Sequence, residues 1–242
     1  MKVLLTGKPG AGKSVALNKI VDMIGRNRCA GLITTEILEN SERVGFKTHA
    51  LYSDEDFILA HKTFDKKYAV EDFGVNVEYL DRVFAKEAET ILNNDNIKFI
   101  IIDEIGRMQA LSDKFKETLD KLADCSKVMI GTVCYEDEID YIRDFKKRND
   151  VTIYTLDLDN RDAMPIEIVR VIMSEDDLYL SKIALAKYYK KDPSRYEYEG
   201  NKVIIHSTHG IRIVTKEKDM YKCTCHYYEE NGVCSHILSL IM

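Results

Sequence analysis

No apolar run in this sequence approaches the roughly 20 residues needed to cross a bilayer. No secretory leader is recognised either, because the apolar start "MKVLL" meets Thr6 and Gly7 at once. Internal repeats and low-complexity tracts are also missing. Positive charge is in short supply: 35 basic residues face 41 acidic ones, a net charge of −6 that argues against a bulk nucleic-acid binder. Without an export signal the cysteines are read in a reducing compartment, the cytoplasm by default and with no membrane partner. Clustered thiols there point to a metal before a disulfide. What is present is a globular composition, 45% hydrophobic and 31% charged over 242 residues, enough for one medium domain and one small one.

Texture changes along the chain. Short apolar runs at 2–6, 29–34, 98–103, 127–133 and 151–156 read as strands. Between them, 13–25, 77–92, 112–124 and 136–148 are helix candidates, the last three with apolar residues three or four apart. Such alternation predicts an α/β domain with a mostly parallel sheet covered by helices, to which 45–53 could add a hairpin. Residues 174–192 read as a helix opened by Ser174 and stopped by Pro193. Beyond it lie alternating strands with turns at Glu199-Gly200 and His209-Gly210. The expected domains are therefore 1–173, a connecting helix at 174–193, and 194–242. Residues 174–193 carry four charges of each sign and 194–242 six of each, so the acidity belongs to the first domain.

The first strand runs directly into "GKPGAGKS" and then a helix. In that context G-x-x-x-x-G-K-S is a phosphate cradle, formed here by Gly7, Lys8, Pro9, Gly10, Ala11, Gly12, Lys13 and Ser14, with Val15 next. Backbone N–H groups and the helix N-terminus converge on the β-phosphate. Lys13 would reach the β/γ-phosphates, and Ser14 would offer its hydroxyl to Mg²⁺. The matching half of such a site is an apolar strand ending in acids, and "KFIIIDEIGRM" supplies Asp103 for Mg²⁺ and Glu104 to orient or deprotonate a water. Thr132, ending the next strand, is a candidate contact to the γ-phosphate or the water. Asp103-Glu104 favours hydrolysis over transfer to an acceptor hydroxyl.

Together with "GLITTEILENSERVGF" (31–46), "FGVNVEYL" (73–80), "DEIGRMQALSDKF" (103–115) and "NRD" (160–162), these motifs resemble a nucleoside-triphosphatase family. That family includes the thermophile enzyme and the cancer-related nucleoside-triphosphatase. The resemblance spans about 1–173. It implies a RecA-like P-loop NTPase fold with an additional strand, and hydrolysis of nucleoside triphosphates with broad base tolerance. It further implies Asn160 and Arg161 near the base, Thr35 and Glu36 near the phosphate end, and Arg107 in a catalytic role there. The chain departs from the family pattern at Val15, Leu38 and Gln109, where a hydroxyl, an Arg and a Glu are usual. Nucleotide binding is expected to survive these changes, with slower turnover.

Three of the six cysteines crowd into the last twenty residues, as Cys223-x-Cys225, eight residues, then Cys234-x-His236. The i, i+2 pair on a strand exit points two thiolates one way, and the next helix returns a third thiolate and an imidazole. Three thiolates and one imidazole make a closed, structural Zn²⁺ site. His226 competes as fourth ligand but adjoins Cys225. The pattern, behind a ββ pair and before a helix, resembles the SWIM zinc finger over 194–242, a ββα module associated with DNA binding and protein contacts. Arg212, Lys216, Lys218 and Lys222 could align as a basic patch despite the module's neutrality. The expected function is a Mg²⁺-dependent hydrolase of ATP, GTP and other NTPs, docked through its tail to DNA, RNA or a protein. The alternatives are a P-loop small-molecule or nucleoside kinase and a nucleotide-gated DNA-binding adaptor with little turnover.

Overall fold

The computed structural model describes residues 1–136, 139–217 and 220–242. It divides into two compact units, Met1–Leu17 with Cys29–Asp162, and Asn18–Arg28 with Ala163–Met242. No helix among the described residues is long and apolar enough to cross a membrane.

In the first unit, β1 (Lys2–Thr6) is buried at every position, as its unbroken apolar run requires of a strand covered on both faces. It turns through Gly7–Gly12 into α1 (Lys13–Ile24), of which residues up to Leu17 belong to this unit. Then come β2 (Cys29–Glu39), β3 (Glu42–Ala50), β4 (Glu55–His61), β5 (Ala69–Val70) and β6 (Phe73–Val75). α2 (Val77–Asn93), β7 (Phe99–Ile105), α3 (Asp113–Asp124), β8 (Val128–Val133), α4 (Asp140–Lys146) and β9 (Val151–Thr155) complete it.

The sheet order is β5-β6-β4-β3-β2-β7-β8-β1-β9. From β2 to β9 the pairings are parallel, and from β2 to β5 they are antiparallel. The sheet is thus evenly mixed rather than mostly parallel with one added hairpin. Tight turns make this half cheap to build. Asn40 and Ser41 both take positive φ (50° and 68°), the backbone of a two-residue hairpin that needs no crossover.

α2 and α3 close one layer of the core. Asn76 caps α2 by accepting from the Tyr79 amide at 3.2 Å, and Ser112 caps α3 by accepting from the Phe115 amide at 2.8 Å, each cap contributing about 1 kcal/mol. Phe84 and Phe115 stack with centroids 4.5 Å apart. One residue of α2's apolar stripe is charged: Glu87 is fully buried. It accepts from the backbone amides of Gly31 (2.8 Å), Tyr52 (3.2 Å) and Ser53 (2.9 Å), tying the base of the β2–β3 hairpin to the helix. α4 begins at Asp140 instead of the expected Glu136, since Ile139 is extended and Glu136 is held by Arg107. Asp137 and Glu138 lie outside the described residues.

The second unit contains Asn18–Arg28, α5 (Met164–Ile172), α6 (Asp177–Lys190), the antiparallel sheet β10 (Tyr196–Glu199), β11 (Lys202–Ser207), β12 (Gly210–Glu217) and β13 (Met220–Cys223), then α7 (His226–Asn231) and α8 (Ser235–Ile241). α6 opens at Asp176, not Ser174: the Asp176 carboxylate accepts from the Tyr179 amide at 2.8 Å and caps the helix. Two tyrosines of α6 are fully buried and fully used. Tyr179 donates to the Met23 carbonyl at 2.6 Å, and the Tyr189 hydroxyl meets that of Thr208 at 2.9 Å. The expected ββα tail is larger in fact, four strands and two helices among the described residues: a positive-φ turn at Gly200 splits the first long run into β10 and β11, and the second is divided between Glu217 and Met220.

Candidate functional site

The cradle is set by the close approach of β1's exit to neighbouring backbone. At Gly7 a Cβ would lie 2.4 Å from the Leu156 carbonyl oxygen, and Gly12 takes φ 91°, so neither position accepts a side chain. The Lys13 ammonium donates to the Gly7 carbonyl at 3.1 Å. Gly7, Pro9, Gly10, Gly12, Lys13, Ser14 and Val15 line one side of a cavity of about 620 Å³. Lys8 and Ala11 instead close the turn, with the Ala11 amide donating to the Lys8 carbonyl at 3.1 Å.

Asp103 and Glu104 face the same cavity from the end of β7, where the ladder to β8 shifts register between Ile102 and Ile105. Asp103 is 3% exposed, and burial raises its carboxyl above the ordinary range against hydrogen bonds from Thr132 and Ser14 and the charge of Lys13. Its Oδ2 has no hydrogen-bond partner among the described residues. A buried, unpartnered carboxylate oxygen beside a serine hydroxyl is a hard-oxygen donor set that fits Mg²⁺. Burial likewise raises Glu104, while Lys13 draws it down and Asp103 pushes it up. The cradle, the metal-fitting acid and the acid beside it therefore converge in space as the motifs require.

Other expected residues fall differently. Thr132 is fully buried and donates to Asp103 Oδ1, so it holds the acid and does not line the cavity. Arg107 lines the cavity but is engaged by Glu136 and, at 3.7 Å, by Glu71, two acids that no sequence motif flagged. Thr35 and Glu36 line it too, Glu36 paired with Arg43 at 2.7 Å. Asn160 braces its own loop, accepting from the Asp157 amide and donating to the Thr155 carbonyl, both at 3.0 Å. The Arg161 Cδ sits 3.7 Å from where a Gly12 side chain would begin. Among the departures, Val15 is 75% exposed at the cavity and Gln109 is buried against it, whereas Leu38 is exposed away from it.

In the second unit the ligand atoms of Cys223, Cys225, Cys234 and His236 all lie within 4.8 Å of one another, and all four residues are buried. β13 delivers Cys223, the α7 cap delivers Cys225, and α8 delivers Cys234 at its cap and His236 two residues on. His236 Nδ1 lies 3.7 Å from Cys223 Sγ and 3.6 Å from Cys234 Sγ, and its ring stacks on Tyr189 at 5.7 Å. Crowding splits the thiols. Hydrogen bonding to Cys225 pushes Cys223 up to about 12, and hydrogen bonds to Cys223 and Cys225 raise Cys234. The same bonds from Cys223 and Cys234 lower Cys225. Three sulfurs so placed suit a soft divalent cation, and with one imidazole the donor set is that of a closed Zn²⁺ site. His226 is out of contention, exposed and paired with Glu229 and Glu230.

The expected basic strip does not assemble among the described residues. Thr215 pairs with Lys222 and Lys216 with Tyr221, so the pleat sends Lys222 to the face opposite Arg212 and Lys216. Lys222 is bound to Glu217 at 2.6 Å, and Lys216 lies over the Tyr221 ring. Lys218 is outside the described residues.

Comparison with known proteins identifies the family of the first part of the chain. The family model described as NTPase matches residues 2–169. "Nucleoside-triphosphatase THEP1" of a Thermotoga species is 34% identical over 172 residues, covering 71% of this chain and 95% of that protein. The protein of the same name from Methanocaldococcus jannaschii is 33% identical, covering 72% and 98%. The crystal structure of THEP1 from Aquifex aeolicus superposes with a TM-score of 0.63 at 30% identity, over 69% of this chain and 96% of that one. A human cancer-related nucleoside triphosphatase shares the fold, with a TM-score of 0.58 at 22% identity over 72% and 97%. With the family model spanning well over half of its length and the cradle and acids in place, this chain belongs to the NTPase family of P-loop nucleoside-triphosphatases.

Proposed function

We propose that the protein hydrolyses nucleoside triphosphates, ATP and GTP among them, in a Mg²⁺-dependent reaction. The observation that carries this reading is the convergence of Lys13, Ser14, Asp103 and Glu104 on one cavity. Lys13 draws the β/γ-phosphates into the cradle, and Gly7, Gly10 and Gly12 let backbone N–H groups approach them. Ser14 and Asp103 would hold Mg²⁺, which would supply positive charge to offset that of the phosphates. Glu104 orients the water and takes its proton, a task helped by burial that lifts its carboxyl toward neutrality. Thr132 positions Asp103. Arg107, released from Glu136, supplies positive charge where the transition state accumulates negative charge. Phosphate release measured with each of four NTPs, with and without Mg²⁺, tests the assignment; no release with any of them would overturn it.

Residues 1–173 form the hydrolase in this reading, 174–193 the connecting helix, and 194–242 a SWIM-type module closed by Zn²⁺ on Cys223, Cys225, Cys234 and His236. A reducing compartment such as the cytoplasm suits three unbridged thiols. The module docks the enzyme to a partner, and the divided basic residues favour a protein over nucleic acid. Binding of the full chain to single- or double-stranded DNA or to RNA at low salt, weakening steeply as salt rises, would reverse that choice.

A further inference from the structure

The phosphate cavity, about 620 Å³, is not lined by phosphate chemistry alone: besides the cradle and the acid pair it has an apolar wall. Phe46, Leu59, Val70, Phe73 and Met108 form that wall, and each is itself part of, or packed against, the core of the first unit. It is therefore fixed, and it presents apolar surface to a site whose stated business is polar.

Its chemistry selects a ligand. Phe46 and Phe73 meet edge to face with centroids 5.3 Å apart, and the Arg43 guanidinium lies over both rings, 5.3 and 5.9 Å from their centroids. Flat surfaces of this kind take a planar ring. The charges are already matched: Glu36 holds Arg43, and Glu71 and Glu136 hold Arg107. An anion would meet three carboxylates for two guanidinium groups, so the recess favours a neutral molecule. Asn160 and Arg161, which the family resemblance puts near the nucleotide base, do not line this cavity, and on that assignment the wall is left for a second molecule.

We propose that this recess is an acceptor site for a neutral nucleoside, a planar base carrying hydroxyl groups, to which the γ-phosphoryl group passes in competition with water. The proposal rests on the phosphate-end reading above. In the transfer, the acceptor hydroxyl oxygen bonds to the γ-phosphorus, and the bond from that phosphorus to the β–γ bridging oxygen breaks. The nucleoside diphosphate leaves with the electron pair, and the hydroxyl proton goes to Glu104.

The test incubates the full-length protein with Mg²⁺ and γ-labelled ATP, with and without adenosine, guanosine, cytidine or uridine at millimolar concentration. Labelled nucleoside monophosphate from at least one of them, at the expense of released phosphate, is the expected result. The ratio of transferred to released phosphate should fall at least tenfold in Phe46→Ala, and also in Arg43→Ala, whose side chain is 43% exposed and outside the core, so that it puts the fold at less risk. Phosphate release unchanged by all four nucleosides, or inhibited competitively with ATP without a labelled product, overturns the proposal. Phosphate release in the absence of nucleoside is the separate test of the hydrolysis reading.

Discussion

Thr132→Val separates a residue that holds the metal-fitting acid Asp103 from one that touches substrate. Valine preserves the shape of the fully buried threonine, so no cavity is created, but the donor to Asp103 Oδ1 is lost. A hydrogen bond to a charged group is worth about 1.5–3 kcal/mol, and Asp103 Oδ2 already has no partner among the described residues. Burial raises the Asp103 carboxyl, so the cost is placed toward the lower part of that range. At about 2–4 °C per kcal/mol for a chain of this size, the melting point should fall by roughly 3–10 °C. Far-UV circular dichroism suits the assay, since the chain has no tryptophan. Mg²⁺-nucleotide affinity should fall in parallel, and Thr132→Ser should restore both. An unchanged melting point in Thr132→Val combined with reduced turnover would refute the positioning role and return Thr132 to the substrate.

Glu87→Ala removes the acceptor of three backbone amides and should cost about 3–5 kcal/mol in chemical denaturation, with Glu87→Gln losing less because one acceptor oxygen remains. Chelation of the tail metal should expose three thiols to a colourimetric reagent while nucleotide still binds at Lys13, and Cys234→Ala should reduce bound zinc from one per chain to none. Hydrogen bonds from Arg148 and then Lys2 hold the Asp150 carboxyl well below the usual carboxylate range. Its stabilisation is therefore full above the unfolded-state pKa of about 3.9 and is lost as pH falls through the lower folded value. Because Asp150 is 43% exposed, solvent screens the pairs, and Asp150→Asn should cost only about 1 kcal/mol at neutral pH, a deficit that closes in strong acid.

The phosphate site was legible because its chemistry is local in sequence: one loop, one strand end, each with its own residue signature. β1 and α2 followed from unbroken burial and from helical periodicity, and both agree with the sequence reading to within a residue. β5 and β6 have two and three residues and α7 has six, too few for any period to register. α5 escaped for another reason: "MPIEIVRVI" is rich in β-branched residues, and only packing makes it helical. Glu87 was invisible because its partners are at least 34 residues away in the chain. The same distance hid Thr132's attachment to Asp103, 29 residues apart, and left its hydroxyl to be assigned to substrate. The tail's cluster of three cysteines and a histidine was read from spacing, whereas the division of Arg212 and Lys216 from Lys222 depends on strand register, which spacing alone does not give.

Phosphate release by Glu104→Gln, measured beside Lys13→Ala and the unaltered protein, bears most directly on the claim that this cavity hydrolyses nucleoside triphosphates. Glutamine keeps the size of Glu104 but cannot take a proton, so Mg²⁺-nucleotide binding should persist while kcat falls by about 10²-fold or more. Lys13→Ala should lose nucleotide binding itself. Turnover in Glu104→Gln equal to that of the unaltered protein would contradict the account.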